Sequence, residues 1–208
     1  MPSKENKESS LASDCQNLAL MIEGDEKNTM MTLPMRRTGF DEDKEFQKFV
    51  KCVERLVRNS VEYREWSGFV KDTLGYSTCA MTEEKSAEVT IEIHHHPINL
   101  YTICKAVIAS YINKEKPFCS GDIALACLEL HFKNKIGYIP LVSSIHEKFH
   151  NGFLKIPIEF VHGEWKHVLN EFPMEDVDVQ MISDLSMVKL DQIKQSWSRN
   201  NYDAIANG

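Results

Sequence analysis

No run of apolar residues in this 208-residue chain approaches the length needed to span a membrane, and its polar N-terminus has no signal-peptide pattern. The six cysteines (Cys15, Cys52, Cys79, Cys104, Cys119 and Cys127) form no CxxC pair and no secretory spacing. A cysteine zinc knuckle and a disulfide scaffold are therefore not indicated, and reduced core thiols of a cytoplasmic protein are expected. There is no internal repeat. Positive charge is also short: 24 Lys and Arg against 31 Asp and Glu give a formal charge of -7, which argues against a protein that coats nucleic acid along its whole surface. A local basic patch remains compatible with that balance. What remains is an ordinary globular composition, 42% hydrophobic and 26% charged, sufficient for one domain with a core and polar tails.

Histidine is where the chain concentrates its chemistry. Five of its eight histidines fall in two clusters, His94-His95-His96 and His146-Glu-Lys-Phe-His150. On a helix, residues i and i+4 share a face, so His146 and His150 can converge on one ion. A strand carrying the upstream run could close the site from the other side. Neutral imidazole is a common ligand of zinc and other transition metals. Each cluster alone is weak evidence, since an isolated His-x-x-x-His is more often coincidental; the two together indicate a metal site.

Periodicity supplies the frame. Residues 1–40 are polar and charged and are expected to form an arm that is either disordered or ordered by a partner. A globular domain is expected over 41–175. Phe46, Phe49, Val50, Val53, Leu56 and Val57 recur at helical spacing after Asp41-Glu42-Asp43, and Ser60 can cap a second helix that Gly75 stops, giving a helical pair over 41–75. Alternation then predicts a hairpin from Thr78–Met81 and Glu88–His95, with Val89, Ile91 and Ile93 on one face and Thr90, Glu92 and His94 on the other. Two helices are expected between 98 and 136, the second ended by Gly137. A short strand, Tyr138–Leu141, and a brief helix with His146 and His150 follow, stopped by Asn151-Gly152. Extended chain is expected over 153–160 and a core helix over Glu164–Glu171. An acidic flexible tail with a weak helix at Val188–Trp197 would occupy 176–208.

His-Glu-x-x-His is also the signature of zinc peptidases, in which the glutamate activates water. Lys148, the helix stop at Asn151-Gly152 and the lack of a further ligand at the expected spacing make this the third reading. More of the chain is covered by another comparison. Ile91-Glu-Ile-His-His-His-Pro97, followed by Gly137-Tyr-Ile-Pro-Leu-Val-Ser-Ser-Ile-His-Glu-Lys-Phe-His-Asn-Gly152, resembles the HNH (His-Me finger) nucleases, in particular the colicin-type histidine set, and phage proteins with an HNH-like finger. The resemblance covers roughly residues 88–160.

It implies an α+β protein: a ββα-metal finger over 76–160, interrupted by a two-helix insertion at 98–136 and packed on the N-terminal helical pair. It implies a divalent metal (Zn, Mg or Mn) held by His94, His146 and His150, with His95 as the general base that activates water against a phosphodiester. The triple histidine leaves the register open by one residue, so that His96 enters the set and the base can move to His94. Lys148 and Lys155 are candidate phosphate contacts. Gly137 stands where the family has its middle asparagine, which orients the base. Val142 and Ile145 stand where a structural zinc would have cysteines. The function implied is a metal-dependent nuclease, encoded by a phage and acting in the host cytoplasm on nucleic acid, with no membrane partner. The alternative is a catalytically inactive scaffold or protein-binding factor with a structural metal, engaging a protein partner through its arm or tail.

Overall fold

The computed structural model describes residues 43–187 apart from 86, 88 and 151–153, and of His150 the backbone alone. The arm over 1–40, the Asn151-Gly152 stop and the helix expected at Val188–Trp197 lie outside the described residues. The fold is α+β, with a small antiparallel two-stranded sheet among helices. Among the described residues, no helix is long and apolar enough to cross a membrane.

Helix α1 (Asp43–Asn59) opens on Asp43 and Glu45 and closes on Arg58, the polarity that complements its dipole. It buries Phe49, Val50, Val53, Leu56 and Val57 as one stripe. Ser60 then turns the chain. Its backbone is extended, its Oγ accepts from Tyr63 N at 3.1 Å and donates to Val57 O at 2.8 Å, and helix α2 (Val61–Gly68) starts from it. A π-helical stretch, Phe69–Thr73, prolongs α2 until Gly75, whose φ of 78° favours glycine. Trp66 and Val70 of this unit are core residues.

Helices α3 (Leu100–Asn113) and α4 (Ser120–Phe132) form the insertion. Asn99 caps α3 by accepting from Thr102 N at 2.8 Å, and Asp122 caps α4 by accepting from Cys119 N at 2.7 Å. Both pack on α1, and Phe118 meets Phe49 with ring centroids 5.9 Å apart. Helix α4 gives way not at Gly137 but at Lys133, with Asn134 taking the left-handed conformation at φ 55°. Buried Cys52, Cys79, Cys104 and Cys127 are free thiols. Cys119 is disulfide-bonded, so the expectation of six reduced cysteines fails at that position.

Strand β1 (Ile91–His95) pairs antiparallel with β2 (Tyr138–Val142) in the register Ile91↔Val142 to His95↔Tyr138. Among the described residues, the segment makes the isolated bridge Thr78↔Lys85 in place of the expected hairpin between 78–81 and 88–95. The reason is burial. Every residue of β2 is buried, so its backbone groups need partners on both edges although the sheet has two strands. It takes β1 on one side, while Ala80 N donates to Pro140 O at 2.9 Å from the 78–81 segment. Helix α5 (Ser143–His150) follows β2 without a linking residue and packs on both strands. Its Ile145 joins Ile91, Ile139, Leu141 and Ile156 in a second apolar cluster, separate from the helical core.

Beyond the sheet, a 3-10 turn (Ile158–Phe160) and helix α6 (Lys166–Glu171) lead to helix α7 (Asp176–Ser186). Residues 176–186 are thus helical rather than a flexible tail. Ile182 anchors α7 in the core, and Lys105 bonds Glu175 at 2.7 Å and Asp178 at 3.1 Å.

Candidate metal centre

Strand alternation decides which histidines meet. Residues 92, 94 and 96 leave the chain toward α5, and residues 93 and 95 toward the helical body. On the α5 side, the rings of His94 and His146 lie 4.8 Å apart, centroid to centroid. Glu92 holds His146 in place: its Oε2 accepts from His146 Nδ1 at 2.7 Å, while its Oε1 accepts from Ser143 Oγ at 2.6 Å. The Ser143 amide also donates to Thr90 O, just before β1, at 3.3 Å. The first turn of α5 is thereby fixed to β1. A proton on Nδ1 directed at a carboxylate places the ring's lone pair on Nε2, the arrangement by which second-shell carboxylates orient metal-binding histidines.

Phe149 closes the apolar side of this pocket, its ring 4.8 Å from His94 and 5.4 Å from His96. His96 shares the face but is engaged elsewhere. Its Nε2 donates to Ile156 O at 2.9 Å, and burial pulls its pKa down to about 4 despite that bond. It therefore remains neutral and clamps the 154–157 segment to the sheet. His94 is buried as well, whereas the His146 side chain keeps 25% of its surface.

His95 goes the other way. It is buried against Tyr63 and Trp66, each with ring centroids 6.0 Å from it, and its Nε2 lies 2.9 Å from Nε2 of His131. Nδ1 of His131 donates to Cys127 O at 2.7 Å, so its Nε2 is the acceptor and His95 the donor. Burial, reinforced by His131, pushes the His95 pKa well below that of a solvated imidazole. Burial likewise brings His131 to about 4. A general base needs a pKa near the working pH and reach to a water or substrate proton. His95 has neither, because adjacent strand residues cannot face one site; it does not join His94 and His146.

Gly137, which stands where HNH nucleases carry an asparagine, has no room for a side chain. A Cβ on Gly137 would lie 2.1 Å from His96 O and 2.6 Å from Trp165 Cβ, so no side chain fits where β2 begins beside β1. The main-chain carbonyl of Asn134 accepts from Glu164 N at 2.9 Å, which ties the end of α4 to the segment before Lys166. Of the lysines, Lys148 is half-buried, two positions from His146 and hence off its helix face; Lys155 is exposed beside buried Ile156. Glu147, the peptidase reading's water activator, is exposed and is also off that face. Glu92 was missed by sequence reasoning, although lying two residues before His94 on a strand places it on the same face.

The donor chemistry fits a divalent metal. Two imidazoles sharing an ion with metal–nitrogen distances of about 2.0–2.1 Å have ring centroids no more than about 6 Å apart, and the His94–His146 separation of 4.8 Å satisfies this. Among the described residues, no group of three or more His, Cys, Asp or Glu side chains is placed to hold a metal ion. The third donor of the expected set, His150, contributes no described side chain.

Two antiparallel strands and a helix, with His94 and His146 meeting between β1 and α5, are carried on a helical body in an α+β fold. A family model described as bacteriophage G278-like virion protein matches residues 7–205, and the chain belongs to that family. It is therefore a phage protein. No curated protein and no solved structure matches the chain.

Proposed function

We propose that this phage protein is a component of the virus particle in which an HNH-like finger keeps a divalent-metal centre for structure rather than for cleavage. His94, His146 and, one helical turn on, His150 are the ligands. Glu92 is the positioning carboxylate behind His146. The bound metal would supply a cross-link between β1 and α5 that the short sheet and an eight-residue helix cannot provide by burial alone. The observation that carries this reading is the orientation of His95, neutral, buried and bonded to His131. The side chain that would activate water faces the core, and Gly137 has no side chain to orient a base. The family's description as a virion protein supports placement in the particle.

A nuclease is the second reading, supported by the carboxylate–histidine pair beside His94, which a metal-dependent hydrolase also uses. Metal analysis of the purified protein, with plasmid nicking in Mg²⁺, Mn²⁺ and Zn²⁺, separates the two. Bound metal without nicking is the expected result. Nicking that disappears in His146→Ala would replace the structural reading with the nuclease, and a wild type that binds no metal would overturn both.

A further inference from the structure

Helices α3 and α4 meet at a pair of sulfurs. Cys104 lies on α3 and Cys127 on α4, both buried, and their thiols share a hydrogen bond with the sulfurs 3.8 Å apart. A cysteine that serves only as a small core hydrophobe needs no sulfur beside it. Two facing sulfurs from different helices are the reactants of a cross-link. A disulfide bond is about 2.05 Å long, so the pair must close by about 1.7 Å, less than about 1 Å from each helix. The chain also carries an oxidised cysteine: Cys119, the residue before α4, is disulfide-bonded. The surroundings set when the pair can react. The bond to Cys127, together with burial, holds the Cys104 thiol well above its usual pKa, so little thiolate forms while α3 and α4 are closed together. Reaction therefore follows a transient parting of the two helices. Cys127 O also accepts from His131 Nδ1 at 2.7 Å, and His131 bonds His95 of β1. A lock at Cys127 would fix the helix that anchors β1.

We propose that Cys104 and Cys127 form an internal disulfide by exchange with a small-molecule disulfide such as oxidised glutathione, locking α3 to α4 in oxidising surroundings. One cysteine thiolate attacks a sulfur of the oxidant, forming a mixed disulfide and expelling one thiolate, which takes up the proton that the cysteine lost. The second cysteine, as its thiolate, then attacks the protein sulfur of the mixed disulfide and expels the other half as a second thiol. The two cysteine sulfurs are oxidised, the oxidant is reduced to two thiols, and both protons leave with them. Cross-linking Cys104 to Cys127 restricts the unfolded chain more than the folded one, in which the sulfurs already meet. In reducing surroundings the same exchange runs backwards. The bond forms whether or not the finger holds a metal.

The test equilibrates the full chain in glutathione buffers from reduced to oxidised, quenches with acid, alkylates the remaining thiols and maps the peptides by mass spectrometry. The expected product is a peptide linking Cys104 to Cys127, two hydrogens lighter than its reduced parts, with Cys52 and Cys79 still alkylated. Its formation should raise Tm by roughly 5–15 °C between the reduced and oxidised buffers, over and above any rise in Cys104→Ala, which keeps Cys119. Cys127→Ala replaces that control if circular dichroism shows Cys104→Ala to be unfolded, and the peptide map itself needs wild-type protein alone. The proposal is overturned if Cys104 and Cys127 remain alkylated in the most oxidising buffer. It is equally overturned if they end as separate mixed disulfides with glutathione, if either pairs with another cysteine, or if the linked protein melts no higher than the reduced one.

Discussion

Replacing Gly137 by alanine adds a single methyl group at the most crowded point of the finger. Its Cβ would sit 2.1 Å from His96 O, 2.6 Å from Trp165 Cβ and 3.0 Å from a Val161 methyl. The first of these is a backbone atom, so no rotamer change relieves it; β1 and β2 must part by roughly an ångström, as in an overpacked core. That movement breaks the bond from His96 N to Gly137 O, now 3.1 Å, at the end of the ladder where His95 pairs with Tyr138. Overpacking costs about 1–3 kcal/mol and the lost hydrogen bond about 1 kcal/mol, so the variant should be destabilised by about 2–4 kcal/mol. For a domain of this size that lowers Tm by roughly 4–16 °C, measurable by calorimetry or circular dichroism. Gly137→Asn restores the residue type of the HNH family but should melt lower still and acquire no nicking activity. A Gly137→Ala protein melting within about 1 °C of wild type would show that β1 and β2 do not approach as described. The steric account of the missing asparagine would fall with it.

His95→Ala should lose about 2–4 kcal/mol in urea denaturation, because it empties a packed site and strands His131 Nε2, while metal content stays unchanged; loss of metal without loss of stability would return His95 to the metal site. Glu92→Gln should weaken metal affinity about 10–100-fold, and His146→Ala should lose the metal, both read by competition with a chromophoric chelator; wild-type affinity in both would exclude the pairing as a metal device. Stability should fall on acidification: His131 titrates near 4 folded and about 6.5 unfolded, so between those values the unfolded chain binds the extra proton. The loss approaches about 1.4 kcal/mol per pH unit within the window, with His95 and His96 acting in the same sense, and urea midpoints at about pH 7, 6 and 5 should decline, less steeply in His131→Gln.

Local signals carried most of the helical architecture. The apolar stripe of α1, the Ser60 cap, the Gly75 stop and both insertion helices were legible because each depends on residues a few positions apart. The sheet was legible only in part: periodicity paired the strand ending at His95 with 78–81, whereas the resemblance set it beside Tyr138–Leu141 across the two-helix insertion, and Ile91–His95 does pair with Tyr138–Val142. A strand's partner is set by which surfaces need burial, which periodicity alone does not carry. Helix α7 was missed for a related reason. Asp176-Val-Asp-Val looks like an acidic tail until Lys105, on α3, answers Glu175 and Asp178.

The histidine run shows how a motif can be found and its roles still be misassigned. Sequence placed His94, His95 and His96 beside the α5 pair as one supply of ligands and base, but a strand distributes consecutive residues between two faces. His94 and His96 share the face of Glu92, and His146 meets His94 there. His95 belongs with Trp66, Tyr63 and His131, where a protonated ring would be buried without a carboxylate partner. Its neighbours therefore select the neutral form, and the hydrogen bond to His131 fixes strand β1 to insertion helix α4. One residue of slip in β1 would exchange these roles, bringing His95 to α5 and leaving Glu92 and His94 against the aromatic wall of α2. The burial of a charged carboxylate without a partner makes that register costly. Glu92, rather than any histidine, is thus the residue that sets which histidine faces α5. Glu92→Leu should test this: it removes the objection to the slipped register as well as the bond to His146. That variant should lose metal affinity and, in a nuclear magnetic resonance spectrum, broaden the His94 and His95 ring signals through exchange between registers. Sharp, wild-type ring shifts for His95 in Glu92→Leu would show that the His95–His131 bond alone holds the register.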